Sequence, residues 1–221
     1  MTTLELKTSV VVFDLDDTLF KEDRYHLSGV NYVCEQIKYL YGKDIKSELM
    51  EIRKGNIDLW GYACKALNLP ESTKESLLWM YRLHSPRIEL DIVTREHLED
   101  IGDKAFATVI LTDGRSISQR QKLLSLGLLD LPIYISEEWN STKPEQHRFK
   151  AIMDTFPTEN YVYIGDNVAK DFIAPNALSW RTIGLFDNGQ NIHSQNQNML
   201  SADSAPNFWI EKFADLSLHF H

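Results

Sequence analysis

Cysteine is nearly absent from this chain: 221 residues carry two, Cys34 and Cys64. Each falls in an apolar, helix-patterned segment and no zinc-ligand spacing accompanies them. Small core residues are therefore expected, rather than a disulfide framework or a zinc site. Long apolar runs are missing as well, and none approaches the length that spans a bilayer. Residues 1–7 include Glu5 and lack the basic-then-apolar pattern of a secretory signal, so the cytoplasm is the expected compartment. Basic charge is in deficit, 23 Lys and Arg against 32 Asp and Glu, for a formal net charge of -9. Neither nucleic acid nor a membrane is an expected partner of such a surface, although local cations or a metal ion still permit a small anionic ligand.

What is present is ordinary globular material. A hydrophobic content of 43% in 221 residues is ample for a sizeable core, in one large domain or in a core domain with a small insert. Val30, Val33, Ile37 and Leu40 recur at helical spacing, as do Leu59, Tyr62, Ala63, Ala66 and Leu67, and a third helical stretch runs from Leu77 to Leu83. Gly55, Pro70 and Pro86 punctuate this region, and no strand pattern lies within it. Residues 21–86 thus read as a helical insert, or cap, with 1–20 and 87–221 forming the core.

Beyond the insert, strand-like runs at Ala107 to Leu111, Leu131 to Ile135, Tyr161 to Ile164 and Thr182 to Leu185 alternate with helical stretches at Ile117 to Leu126, Glu145 to Thr155 and Val168 to Leu178. Alternation of this kind predicts right-handed crossovers and a parallel sheet in an α/β fold. From Asp187 to Pro206 the chain is rich in Asn, Gln and Ser and reads as a long polar loop. Apolar spacing returns at Phe208-Trp209-Ile210 and in a terminal helix at Glu211 to Leu218.

Four clusters carry chemistry, each at a strand end. The β-branched run Ser9 to Phe13 breaks into Asp14-Leu15-Asp16-Asp17-Thr18, delivering two carboxylates to the edge where open α/β sheets bind ligands. Carboxylates at i and i+2 share one side of an extended backbone and repel there, which implies a divalent cation, and an all-oxygen donor set favours Mg2+. Ile110-Leu111-Thr112-Asp113-Gly114 offers a hydroxyl and turn amides to a phosphate, although Thr-Asp-Gly by itself is simply a turn. In Ser141-Thr142-Lys143-Pro144 a lysine precedes a proline read as opening a helix, so the ammonium can reach across the strand ends; taken alone, it would be a solvated charge. Tyr161-Val162-Tyr163-Ile164-Gly165-Asp166-Asn167, with Asp171 five residues after Asp166, gives a metal-ligating acid and a supporting acid, with Asn167 as a helix cap.

In this order, DxDDT, a strand-ending Thr, Lys-Pro and GDNxxxD resemble the haloacid dehalogenase superfamily of phosphohydrolases over residues 10–186. The resemblance implies a Rossmann-like parallel sheet in a three-layer α/β/α core, with 21–86 as the helical cap of the first subclass. It implies that Asp14 attacks phosphorus and forms an aspartyl-phosphate, and that Asp16 acts as acid and then base, held protonated by a less compensated position than that of Asp14. Mg2+ would be bound by Asp14, the Asp16 carbonyl and Asp166, while Thr112, Asp113 and Lys143 would hold phosphoryl oxygens. Because Asp16 is present, phosphatase or phosphomutase chemistry is implied over dehalogenation, and a small phosphorylated metabolite over a phosphoprotein. A binding protein that kept the fold is the non-enzymatic alternative. Arg53, Lys54, His26, His84 and Arg115 are candidate substrate contacts, each first read as a surface residue. No feature bears on oligomeric state.

Overall fold

In the computed structural model, which describes residues 3–53, 55, 57–193, 195, 200–201 and 203–220, the strongest β former of the chain lies at the sheet's centre. Strand β1 (Ser9–Phe13) is buried at every position, as expected of a strand covered on both faces. It pairs in parallel with β2 (Ala107–Thr112) on one side and β4 (Asn160–Gly165) on the other, in a six-stranded sheet of order β3-β2-β1-β4-β5-β6. The remaining strands, β3 (Ile133–Ile135), β5 (Arg181–Leu185) and β6 (Phe208–Ile210), also pair in parallel. The chain reverses its direction of travel across the sheet between β1 and β4, and a crevice opens at such a switch point beyond the strand ends. Register aligns those ends, with Phe13 opposite both Ile110 and Ile164.

Alternation along the strands sorts the core into two layers. Val11 and Phe13 point to one face and pack with Leu98 and Ile101 of α5 (Ile92–Lys104), with Leu123 and Leu126 of α6 (Ser116–Leu126), and with the 3-10 turn Phe213–Leu218. Val10 and Val12 point to the other and pack with Phe149 and Ile152 of α8 (His147–Thr155) and Ala174 of α9 (Ile173–Ala177). A short helix, α7 (Ser136–Trp139), follows β3. The result is a Rossmann-like α/β fold.

Between β1 and α5 lie α1 (Glu22–Tyr41), α2 (Lys46–Ile52), α3 (Leu59–Leu67) and α4 (Thr73–Leu83). Their inward residues, among them Val33, Ile37, Leu49, Trp60, Ala63 and Leu77, form a third apolar cluster separate from the two on the sheet. Gly42 ends α1 in the left-handed region at φ 67°, and the Asp58 side chain caps α3 by accepting from Gly61 N. Cys34 and Cys64 are free and buried here. Among the described residues, no helix is long and apolar enough to cross a membrane.

Several local expectations need correction. Pro144 does not open a helix: it lies in a turn closed by Glu145 N donating to Thr142 O at 2.8 Å, and α8 begins at His147. The expected helix from Val168 to Leu178 shrinks to α9, because Asn167 Oδ1 and Asp171 Oδ2 take the amides of Asp166, Asn167 and Ala169 into a side-chain-bonded turn. The terminal helix is a 3-10 segment starting at Phe213. Helices α2 and α5 carry weak patterns, α5 leaving Ile92 and Val93 exposed at its start.

Candidate active site

Where β1 ends, Asp14 N donates to Ile164 O at 2.9 Å, so the backbone stays tied to β4 while the carboxylate turns into the crevice. One strand over, β4 ends in Asp166, which accepts from Thr18 Oγ1 at 3.3 Å and from Asn191 Nδ2 at 2.8 Å. Asp171 reaches back beneath it. Its Oδ2 takes the amides of Asp166 and Asn167 at 3.1 and 2.8 Å. Gly165 is required at this point, since a Cβ there would lie 2.5 Å from Asp171 Oδ2.

Lys143 closes the group. Its fully buried ammonium lies 2.9 Å from Asp14 Oδ1, 2.7 Å from Asp171 Oδ1 and 3.1 Å from the Tyr163 hydroxyl. Burial opposes that charge, but Asp14 and Asp171 outweigh it and raise Lys143 well above its ordinary value. Oxygens of Asp14, Asp166 and Asp171 all fall within 4.8 Å of one another. One lysine cannot neutralise three carboxylates. Burial and mutual repulsion accordingly push Asp14 up to about 7 and Asp166 up to about 8. A buried, oxygen-only, over-charged cluster is the donor set that a hard divalent cation fits. Asp171 is committed to two amides and a lysine, whereas Asp14 meets Lys143 through Oδ1 and Asp166 meets the neutral side chains of Thr18 and Asn191, so these two carboxylates are the better placed to ligate.

Thr112, at the end of β2, is buried, and its hydroxyl accepts from Gln119 Nε2 at 2.9 Å, leaving the hydroxyl proton available. Asp113 turns its carboxylate to Arg148, to the Lys143 amide and to Lys170 at 3.4 Å. The charges of Lys143, Lys170 and Arg148 outweigh its burial and hold it below the usual carboxylate range. The Asp113 side chain is thus committed to these partners, and its main chain alone would be left to meet an anion.

Asp16 departs from expectation. It is compensated: Lys122 Nζ lies 2.7 and 2.8 Å from its two carboxylate oxygens, and Gln119 Nε2 lies 2.8 Å from Oδ2. Arg115 is engaged by Glu137 at 2.9 Å rather than by any member of the cluster. His84 is buried, with Nδ1 against Tyr81 O, and is no surface residue. Arg53, paired with Asp23, and His26, bonded to the Tyr81 hydroxyl, line a cleft of about 810 Å³ between the helical insert and residues 189–192. Lys54 lies outside the described residues.

Sequence reasoning missed Gln119, Lys122, Arg148 and Asn191. The first two had a signal. Residues 119, 122, 123 and 126 form one helical stripe, so a Gln and a Lys share the face on which Leu123 and Leu126 are buried. Asn191 sits in the polar segment read only as a loop, where Asp187 Oδ1 gathers the amides of residues 189–191 and aims that segment at Asp166.

Fold and site define an α/β enzyme with an acidic centre at the carboxyl ends of its central strands. The family model of haloacid dehalogenase-like hydrolases matches residues 8–178, and the chain belongs to that family. A curated relative, the glyceraldehyde 3-phosphate phosphatase of Methanocaldococcus jannaschii, is 26% identical over 197 residues, covering 79% of this chain and 83% of that protein. Among solved structures, a magnesium-bound protein of Bacillus subtilis described as a HAD-hydrolase superposes with a TM-score of 0.64 at 16% identity, covering 96% and 98% of the two chains. A HAD phosphatase from Thermococcus onnurineus does so with a TM-score of 0.61 at 21% identity, covering 95% and 96%.

Proposed function

We propose that this hydrolase is a magnesium-dependent phosphatase of a small phosphomonoester, a sugar phosphate or a nucleoside monophosphate, working in the cytoplasm through an aspartyl-phosphate on Asp14. The observation that carries the reading is the buried Asp14–Lys143 pair beside Asp166. It is a nucleophile held by a cation, with a second carboxylate that repels it unless a metal intervenes.

In this reading an Asp14 oxygen attacks phosphorus, the bond from phosphorus to the ester oxygen breaks, and Asp16 gives its proton to the departing alcohol. Asp16 then takes a proton from water, whose oxygen attacks phosphorus and returns Asp14 as a free carboxylate with inorganic phosphate released. Asp14, Asp166 and the Asp16 carbonyl would hold Mg2+, which when bound supplies charge neutralisation at the phosphoryl oxygens. Lys143, the Thr112 hydroxyl and the Asp113 amide would hold those oxygens in place, and such positioning supplies most of the catalysis in phosphoryl transfer. Residues 21–86 act as the cap of the first subclass over a core of 1–20 and 87–221, with the cleft lined by Arg53, His26, Trp60 and Tyr81 taking the rest of the substrate.

The test is phosphate release from a panel of sugar phosphates, nucleoside monophosphates and phosphorylated acids, with magnesium and with chelator. Magnesium-dependent release from one class supports the reading. Conversion of a sugar phosphate to its isomer without free phosphate would replace it with a phosphomutase.

A further inference from the structure

Lys122 is a buried ammonium that the mechanism above does not use. It sits on the face of α6 that packs on the sheet, three residues from Gln119 and beside Leu123, and its side chain is 4% exposed. A lysine at such a position costs more than a methionine of similar size unless its charge is matched. Here it is matched on every side: both Asp16 oxygens lie at 2.7 and 2.8 Å, Glu22 Oε1 lies at 3.8 Å, and the Tyr25 ring lies 4.4 Å away. Glu22 faces it from α1, and Glu22 is itself 3.7 Å from His26. The ammonium is thereby fixed from the insert while it grips a carboxylate of the core.

Gln119 makes the same case independently. Its amide nitrogen lies 2.8 Å from Asp16 Oδ2, 2.9 Å from Thr112 Oγ1 and 2.7 Å from Asp113 O. Its amide oxygen is buried without a hydrogen-bond partner among the described residues. Leaving an acceptor unsatisfied is unfavourable. The cost is borne where it orients the NH2 group at three atoms of the site.

We propose that Lys122 and Gln119 are positioning residues that fix the carboxylate of Asp16 for proton transfer to the leaving group. This inference rests on the phosphatase reading and on the acid–base role of Asp16 within it. Lys122 contacts Asp16 and no group assigned to the phosphoryl oxygens, so its loss penalises only reactions that need a proton delivered to the departing oxygen. Gln119 also bonds Thr112 Oγ1, so its loss falls on every ester but most heavily on those that need that proton.

The experiment compares kcat on an alkyl phosphate, glycerol phosphate, with kcat on p-nitrophenyl phosphate, whose leaving group needs no proton. It uses Lys122→Met, Lys122→Arg, Gln119→Leu, Asp16→Asn and Asp14→Asn. Lys122→Met is expected to lower kcat on the alkyl ester by about 10- to 100-fold, a part of the roughly 100- to 10,000-fold that general acid–base catalysis contributes. On the aryl ester it should change kcat little, with KM nearly constant on both, and Lys122→Arg should recover part of the loss. Equal losses on both esters, no loss on either, or an Arg variant no better than Met would overturn the proposal. Should Lys122→Met fail to fold, Gln119→Leu decides by the same comparison, since it leaves the ion pair intact. Turnover by Asp14→Asn would instead reject the phosphatase reading itself. An inactive Asp14→Asn, with a leaving-group bias in Asp16→Asn but none in Lys122→Met, rejects only this inference.

Discussion

Lys143 and Asp14 meet at 2.9 Å with side chains 0% and 7% exposed, an ion pair closed off from solvent at the end of the central strand. Removing the cation leaves Asp14 and Asp171 buried without it. Lys143→Met should lower the unfolding free energy by about 3–5 kcal/mol, the cost of breaking a buried pair from one side. Denaturant unfolding in chelator measures this. A change within 1 kcal/mol would mean that the two carboxylates relax without the lysine.

Asp14→Asn keeps the shape of the side chain and removes a charge that repels Asp166 and Asp171. Phosphate release should vanish while far-UV dichroism and the melting transition persist, with stability in chelator equal to or above that of the parent. Retained turnover would move the nucleophile elsewhere.

Metal and pH act on the same groups. Burial raises Asp14 from 3.8 to about 7 and Asp166 from 3.8 to about 8. Between roughly pH 4 and pH 8 the metal-free folded state thus binds more protons than the unfolded chain, and stability contributed by these groups is lost as pH rises through that window. A cation binds the ionised form, so its stabilising effect grows over the same interval, reaching about 2.7 kcal/mol at one hundred times its Kd. The melting temperature in magnesium minus that in chelator should be larger at pH 8 than at pH 5.5. An equal difference at both values would separate metal binding from these carboxylates.

Gly165→Ala tests how Asp171 is held. The added methyl falls 2.5 Å from Asp171 Oδ2 and 3.0 Å from its Cγ. The carboxylate must leave the amides of Asp166 and Asn167, at about 1–3 kcal/mol for an overpacked site. Stability and turnover should fall together. A variant with parental melting and kcat would show that Asp171 has room to move.

Three of the four clusters were legible because each is local: an apolar run followed at once by a polar residue fixes both the strand and the address of its last side chain. Asp14, Thr112 and Asp166 could be named that way, whereas Lys143 lies beyond β3 and α7 rather than at a strand end and was named from the proline that follows it. Lys122 and Asn191 could not be assigned to the site, since their roles exist only through contacts with Asp16 and Asp166, far away in sequence. The uncompensated setting expected of Asp16 failed for the same reason. Its compensating lysine lies on a helix that the motif does not include. Asp17, given no chemistry from sequence, binds the amides of Glu22 and Ile192 at 3.0 and 2.9 Å, and so links the entry to the helical insert with the loop that carries Asn191.

The strand order has a consequence for how the protein is made. β1 is synthesised before both of its neighbours, and one of them, β4, follows only after the insert, β2 and β3. Pairings so distant in sequence form slowly. Until β4 docks, β1 presents an open backbone edge and an Asp14 without its acidic companions. A nascent or truncated chain ending before residue 160 is therefore the species most exposed to strand-to-strand misassociation, and it lacks the buried acidic cluster that Asp166 and Asp171 complete.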